Sequence, residues 1–312
     1  MSSTATRVTL QPNRIVVIGE CMLELTDDGS GQVSLSYAGD VLNTAVHLAR
    51  LGFTSSFITA IGVDPYSNMM IKSWAERGID TSHVLRHPER IPGLYAVQRS
   101  PNGDRDFHYW RDQSAARAIC SIPGWERCAE YACGASVFYF TGISLAILTA
   151  ESRYQILAIA ETVGKRGGFV IFDPNFRRKL WPDIEDARSW MERAARYANM
   201  VVPTDADDHE LWSDATHSNS TKKWFEYGAQ HVVLKCGEKG ASWETPGGYF
   251  ITSPAGHPRC IVDTTGAGDA FNAGLIAGLL ENRTPQETLC YANQVAAETL
   301  SYHGALPKGP DA

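Results

Sequence analysis

Short apolar runs alternate with longer amphipathic ones along this 312-residue chain. Ile15-Val16-Val17-Ile18 reads as a buried strand ending at Gly19. Asp40 to Leu51 reads as a helix, with Asp40 as its N-cap and Gly52 as its stop. Ser56 to Ile61 is a second strand, and Pro65 to Arg77 a second helix opened by Pro65 and closed by Gly78. Further buried strands are predicted at Val137-Phe138-Tyr139-Phe140, Phe169-Val170-Ile171-Phe172, Met200-Val201-Val202 and His231-Val232-Val233-Leu234-Lys235, with helical stretches between them. Such β-α alternation predicts a mainly parallel sheet with helices on both faces, an α/β/α sandwich.

Two segments break the rhythm. Met22-Leu23-Glu24-Leu25 and Val33 to Tyr37 suit short strands. Leu94 to Ser100 and Arg105 to Arg111 are β-like runs joined around Asn102-Gly103, a hairpin signal because both residues tolerate positive φ. The expectation is a single domain over 1–312 with a small antiparallel β lid inserted at about 21–38 and 91–112. Thr216 to Thr221 reads as a polar loop. Ala241 to Trp243 and Tyr249 to Thr252 read as a second hairpin, followed by helices over Ala267 to Glu281 and Pro285 to Ser301.

Composition narrows the classes. A formal charge of −7 leaves no basic surplus to neutralise phosphates, so nucleic acid is not expected as a partner. No apolar run reaches membrane-spanning length, and Met1 to Arg14 lacks a signal-peptide core. A cytoplasmic protein without a membrane partner is expected. The seven cysteines form no Cys-x-x-Cys pair and the histidines no His-Glu-x-x-His, so no protein-held metal is expected.

The chemistry concentrates in Asp263-Thr264-Thr265-Gly266-Ala267-Gly268-Asp269-Ala270-Phe271. Small residues let backbone N–H groups approach an anion, and the helix starting here adds its N-terminus. Asp269 in the first turn could take a proton from an attacking hydroxyl while the amides of Gly266, Ala267 and Gly268 hold phosphate oxygens. The bland alternative is a Gly-rich loop capped by Asp269. No Walker A run is present, and no Gly-x-Gly-x-x-Gly follows the first strand, which argues against a nicotinamide dehydrogenase.

This run resembles the C-terminal signature of the ribokinase-like (PfkB) carbohydrate kinase family, in which the final Asp is the base. A second signature of that family lies at Ala38-Gly39-Asp40-Val41-Leu42-Asn43-Thr44-Ala45, with Leu51-Gly52 and Gly62 following; Val41 stands where a small residue is usual. Asp40 and Asn43 share one helix face and could bond sugar hydroxyls, or be a capping Asp and a solvated Asn. The resemblance implies the ribokinase-like fold, with Gly39, Asp40 and Asn43 on the sugar.

In Phe107-His108-Tyr109-Trp110-Arg111, Tyr109 and Arg111 would share one strand face, with Tyr95 on the partner strand. The Arg111 fork suits a carboxylate, unless the hairpin's aromatics simply pack on the core. Gly19-Glu20-Cys21-Met22, Pro92-Gly93-Leu94-Tyr95, Tyr109-Trp110-Arg111, Gly142 to Leu148 and Asp173-Pro174-Asn175-Phe176-Arg177 are similar to the 2-keto-3-deoxygluconate kinase branch of the family. That resemblance runs from about Arg14 to Pro307. It implies that Tyr95, Tyr109 and Arg111 hold the acid end of a keto-deoxy sugar acid and that Arg177 stands near both substrates.

The resemblance further implies ATP and Mg2+ as cofactors, with nucleotide contacts from Lys235, Gly237, Gly240, Thr264, Gly266, Gly268 and Asn293. It allows a monovalent cation such as K+ near Asp263 and Thr265. Thr204 and Asp207 replace a usual Asn-x-x-Glu, which puts their role in doubt. A kinase of a neutral sugar such as fructose or ribose is the rival reading, and a silent sugar-acid sensor a second. An exposed lid edge would invite a homo-oligomer.

Overall fold

A computed structural model describes residues 8, 10, 14–27, 32–99, 105–213 and 216–307. Its strands are β1 Ile15–Ile18, β2 Met22–Asp27, β3 Val33–Ala38, β4 Ser55–Ile61, β5 Val84–Arg86, β6 Leu94–Arg99, β7 Arg105–Trp110, β8 Val137–Thr141, β9 Phe169–Asp173, β10 Met200–Val201, β11 His231–Lys235, β12 Ala241–Glu244 and β13 Phe250–Ser253. The helices are α1 Asp40–Arg50, α2 Pro65–Glu76, α3 Trp125–Ala132, α4 Gly142–Ala146, α5 Ala150–Lys165, α6 Ile184–Tyr197, α7 Asp205–Leu211, α8 His217–Glu226, α9 Ala267–Leu280 and α10 Pro285–Thr299.

Nine strands form the main sheet in the order β13-β12-β11-β10-β9-β8-β1-β4-β5. The strands from β11 to β5 are parallel; β12 and β13 add an antiparallel hairpin at one edge. The period of two in each strand builds two cores. Val16, Ile18, Phe138 and Phe140 face one helical layer with α3, α5 and α6. Ile15, Val17, Val137 and Tyr139 face the other with α1 and α9. This is the expected three-layer sandwich.

A parallel sheet gathers loop residues at the carboxyl ends of its strands, where ligands bind in open α/β folds. Here Gly19 and Glu20 follow β1, while Thr141, Asp173 and Lys235 end β8, β9 and β11.

The lid is a second sheet in the order β3-β2-β6-β7. It departs from the expectation of an all-antiparallel lid, because β2 and β6 pair in parallel. Both hairpins rise from the core in the same sense, so their inner strands must run together. Met22, Ala38, Tyr95 and Val97 bury one another in a small cluster of the lid's own. The turn at Asn102-Gly103 lies outside the described residues, although Arg99 pairs with Arg105 across it.

Two local expectations are corrected. Asp40 does not cap α1: Gly39 occupies the N-cap with extended backbone, and the Asp40 carboxylate is used elsewhere. Gly39 is required there because a Cβ would collide with the Glu20 carbonyl oxygen. Thr216 to Thr221 is not a loop but the start of α8. Thr216 accepts from the Asn219 amide at 3.2 Å, and Trp224 further along is fully buried.

Helices α7 and α8 are joined through Asp208, whose Oδ2 accepts from Trp224 Nε1 at 3.0 Å and from Ser220 Oγ. Burial pushes this carboxyl up to about 7, against the bonds from Ser220 and Trp224, and with help from Asp207 and Asp205. The folded chain therefore keeps a proton that the unfolded chain releases near pH 3.8. The resulting stabilisation is complete below that pH and lost as pH rises through about 7. Asp208→Asn, which mimics the protonated acid, should raise the urea midpoint at about pH 8 and leave it little changed at about pH 4. A lower midpoint at the higher pH would contradict this.

Candidate active site

The glycine loop before α9 is folded by one buried carboxylate. Asp263 Oδ1 accepts from the Thr265 amide at 2.9 Å and Oδ2 from the Gly304 amide at 2.7 Å. The chain then turns through Gly266, which is left-handed at φ 78° and caps α9. A Cβ there would also sit 2.6 Å from that of Ala305, so no other residue fits. From Ala270 to Leu280 α9 is buried on every side, and its first-turn amides lack partners inside the helix, the Ala267 amide turning back to the Thr264 carbonyl at 3.4 Å. The sequence-predicted amides of Gly266, Ala267 and Gly268 therefore lie at one helix start, beside Asp269.

Asp269 hangs from that first turn and is only partly exposed. Asn43 Nδ2 donates to its Oδ2 at 2.8 Å, and Thr44 Oγ1 donates to its main-chain carbonyl at 3.2 Å. These bonds join α1 to α9 and bring together the two signature segments. Burial pushes the Asp269 carboxyl up to about 8, reinforced by the nearby charges of Asp40 and Asp173 and opposed by Asn43 and Lys235.

Asp40 and Asp173 complete a group of three carboxylates. Asp40 Oδ2 accepts from Thr141 Oγ1 at 2.7 Å and Asn175 Nδ2 at 2.9 Å. Burial still holds its carboxyl above the ordinary range. Asn175 has φ 35°, a conformation that asparagine tolerates better than most residues. Its amide also donates to Asp173 Oδ1 at 3.0 Å.

Asp173 is nearly inaccessible, and Oδ2 accepts from Lys235 Nζ at 2.7 Å and Asn272 Nδ2 at 2.6 Å. Asn272 Nδ2 also bonds the Tyr139 hydroxyl at 2.9 Å. Lys235, expected on the nucleotide, thus turns inward: its ammonium is bound to Asp173 and to Asn272 Oδ1 at 3.3 Å. It still lies under the glycine loop, since a Cβ on Gly268 would be 3.9 Å from Nζ.

Sequence reasoning did not assign roles to Asp173, Asn175, Thr141 and Asn272. Asp173-Pro174-Asn175 stood among the quoted motifs, and Asn272 lies one helical turn after Asp269 on a buried helix, where a polar residue requires a partner. Thr141 carried no sequence signal beyond a strand end.

On the lid side, Tyr95 and Tyr109 are cross-strand partners with ring centroids 5.7 Å apart, and the Tyr95 hydroxyl donates to Glu24. Arg111 does not share their strand: β7 ends at Trp110. Its guanidinium is 7% exposed and donates through Nη2 to Glu20, which also accepts from Ser114 Oγ. Arg111 Nε has no partner. Arg177 donates to Asp207 at 3.3 Å and to the Phe176 carbonyl at 2.7 Å, and its charge reaches the Tyr109 hydroxyl. Tyr109, Arg111 and Arg177 are therefore near neighbours, with Arg111 already paired.

The other predicted nucleotide residues are placed as follows. Gly237 and Gly240 bound a short turn after β11, closed by the Cys236 amide on the Gly240 carbonyl at 2.8 Å. Asn293 Nδ2 donates to the Ser253 carbonyl at 3.2 Å, fastening α10 to the end of β13. Thr264 is exposed at the loop. Thr204 caps α7 through the Asp207 amide at 3.1 Å. Among the described residues, no group of three or more His, Cys, Asp or Glu side chains is arranged to hold a metal ion.

Comparison with known proteins places this geometry. The pfkB family carbohydrate kinases match the chain over residues 12–311. It is 34% identical to the 2-dehydro-3-deoxygluconokinase of Haemophilus influenzae over 301 residues, covering 94% of this chain and 95% of that one. Identity to the enzyme of the same name from Escherichia coli K12 is 31%, covering 94% and 96%. The fold matches a putative ribokinase II from E. coli, solved in complex with ATP and Mg2+, at a TM-score of 0.81 and 23% identity over 94% of both chains.

Among the described residues, the one cation bonded to any of the three carboxylates is Lys235, which pairs with Asp173. Lys235→Met should leave Asp173 uncompensated and cost about 3–5 kcal/mol of stability by denaturant titration. A loss below about 1 kcal/mol would show that the pair is not an essential neutralisation.

Proposed function

The chain belongs to the pfkB family of carbohydrate kinases, and from that premise we propose that it transfers the γ-phosphoryl group of ATP to the 6-hydroxyl of 2-dehydro-3-deoxygluconate, the 2-keto-3-deoxy sugar acid. The observation that carries the reaction is the Asp269 carboxyl, pushed up to about 8 and fixed by Asn43 at the start of α9 beside the glycine loop. The name borne by the relatives at 34% and 31% identity supports the choice of sugar acid.

In this reading the ionised Asp269 takes the proton as the sugar hydroxyl attacks the γ-phosphorus. The new O–P bond forms as the bond to the β-phosphate oxygen breaks, and ADP leaves. The amides of Gly266, Ala267 and Gly268 receive charge developing on the transferring group. Lys235 acts from beneath, pairing with the Asp173 carboxylate and lowering the proton affinity of Asp269. Mg2+ bound to ATP would offset phosphate charge, and Asp207, paired with Arg177, would be a carboxylate able to bond its water shell. Asp263 suits a loop organiser more than a ligand of K+, since both its oxygens accept backbone amides.

Gly39, Asp40 and Asn43 would bond the sugar hydroxyls, Tyr95, Tyr109 and Arg111 the acid end, and Arg177 the region between sugar and phosphate. Gly237, Gly240, Thr264 and Asn293 would line the nucleotide. The lid closing over the sugar would exclude water as a competing acceptor. Exposed Val33, Leu35 and Trp110 on the lid favour pairing with a second copy. No helix among the described residues is long and apolar enough to cross a membrane, and a substrate set containing ATP fits the cytoplasm.

One observation favours a second reading, a neutral sugar such as fructose. Glu20 already neutralises Arg111, so the buried guanidinium does not need a substrate carboxylate. ADP release measured against 2-dehydro-3-deoxygluconate, its 4-epimer, gluconate, fructose and ribose decides between them; preference for a neutral sugar would overturn the sugar-acid assignment.

Two variants test residue roles. Asp269→Asn should lower kcat by about 10²–10⁴ while sugar binding persists. In the wild type, kcat/KM should fall with a single ionisation as pH drops below about 8, because protonated Asp269 cannot act as base. An acid limb near pH 4 instead would show that burial does not raise the Asp269 carboxyl, and an unchanged kcat in Asp269→Asn would remove it from that role. Arg111→Ala should raise KM for the sugar acid at least about tenfold with a smaller change in kcat, and an unchanged KM would eliminate the carboxylate contact.

A further inference from the structure

Away from the reaction centre, at the amino ends of the parallel strands, an open surface hollow of about 400 Å³ is lined by Arg14, His83, Arg127, Tyr131, Gly134 and Arg166, with Glu130 its one acidic member. Arg14 immediately precedes β1, and its carbonyl accepts from Ser136 and Val137 at the start of β8. Gly19 and Glu20, at the opposite end of β1, belong to the substrate side. At about 3.3 Å per residue, the two sites stand roughly 13 Å apart along this strand.

Arg14 and Arg166 are held by hydrogen bonds, while Arg127 is exposed at the rim. The Arg14 guanidinium lies 4.3 Å over the Tyr131 ring and donates to the Tyr131 carbonyl at 3.1 Å. A side chain at Gly134 would run into Arg14 Nη1, so the glycine makes room for the arginine. Arg166 donates to the Cys133 carbonyl at 3.2 Å. His83 stacks on Tyr131 with ring centroids 3.7 Å apart, and its Nδ1 is buried without a partner. The nearby Asp80 is occupied by Ser56 Oγ at 2.6 Å and by the Ser82 amide at 2.9 Å.

None of the three arginines makes an ion pair among the described residues. In a chain of formal charge −7, three unpaired guanidiniums around one hollow form a local field opposite in sign to the whole. Guanidinium forks match adjacent oxygens of a phosphate group, and each arginine keeps donors free beyond its carbonyl or ring contact. We propose that this hollow is a second anion site, which binds a small phosphate-bearing molecule independently of the catalytic centre.

Pyrophosphate is the probe. The holoprotein is first saturated with a non-hydrolysable ATP analogue and Mg2+, so that the catalytic phosphate loop is occupied. Calorimetric titration should then show one further saturable site, weakening as salt is raised. Hydrogen exchange should slow around Tyr131 to Gly134. The exposed pair Arg127→Glu and Arg166→Glu should weaken this binding at least about tenfold, equal to about 1.4 kcal/mol, and leave basal kcat unchanged. Absence of saturable binding up to about 10 mM pyrophosphate, or equal binding by the double variant, would overturn the proposal. Sugar specificity does not enter these readouts, so the result stands apart from the substrate assignment.

Discussion

The candidate site depends on neutralising buried negative charge. Asp40, Asp173 and Asp269 converge where β8, β9, α1 and α9 meet, and the one cation bonded among them is Lys235. An isolated buried carboxylate would take up a proton or disrupt the fold. Lys235 and Asn272 satisfy Asp173 directly; Thr141 and Asn175 satisfy Asp40 with neutral donors. Among the described residues Asp269 receives only Asn43 on its carboxylate, and burial, reinforced by the charges of Asp40 and Asp173, raises its proton affinity. The surroundings that satisfy the other two acids therefore leave the third as the one that most readily holds a proton.

The lid shows the same economy of charge. Glu20 sits at the carboxyl end of β1, and Arg111 descends from the lid to meet it, with Ser114 on the other carboxylate oxygen. A buried ion pair of this kind fixes the position of a guanidinium more surely than it stabilises the fold. It ties the small sheet to the strand that carries the core. Its partnerless Nε leaves Arg111 with donor capacity toward the sugar side.

Much of this architecture was legible in the residues. Fully apolar strand runs such as Ile15 to Ile18 and Phe169 to Phe172 can only be buried on both faces, and that forces helices above and below. The phosphate loop was legible because Gly266 and Gly268 leave the backbone unobstructed. The bond of Lys235 to Asp173 was not legible, because nothing in the sequence gives the direction of a flexible four-carbon stem. Asp40 was misread as a cap because a capping Asp and a first-turn Asp look alike in sequence. The polar segment at Thr216 hid a helix whose anchor, Trp224, lies two turns downstream. The sense of β2 against β6 is a long-range pairing that no local pattern encodes.

Periodicity and small-residue spacing, which act over a few residues, determined by themselves the three-layer fold, the phosphate loop and the position of Asp269 in its first helical turn. Tertiary structure alone decided how far the Asp269 carboxyl is raised. The shift follows from burial and from how Asp40, Asp173, Asn43 and Lys235, up to 229 residues away in sequence, divide charge and donors around it. Such a division depends on distance and burial, and neither exists until the chain has folded.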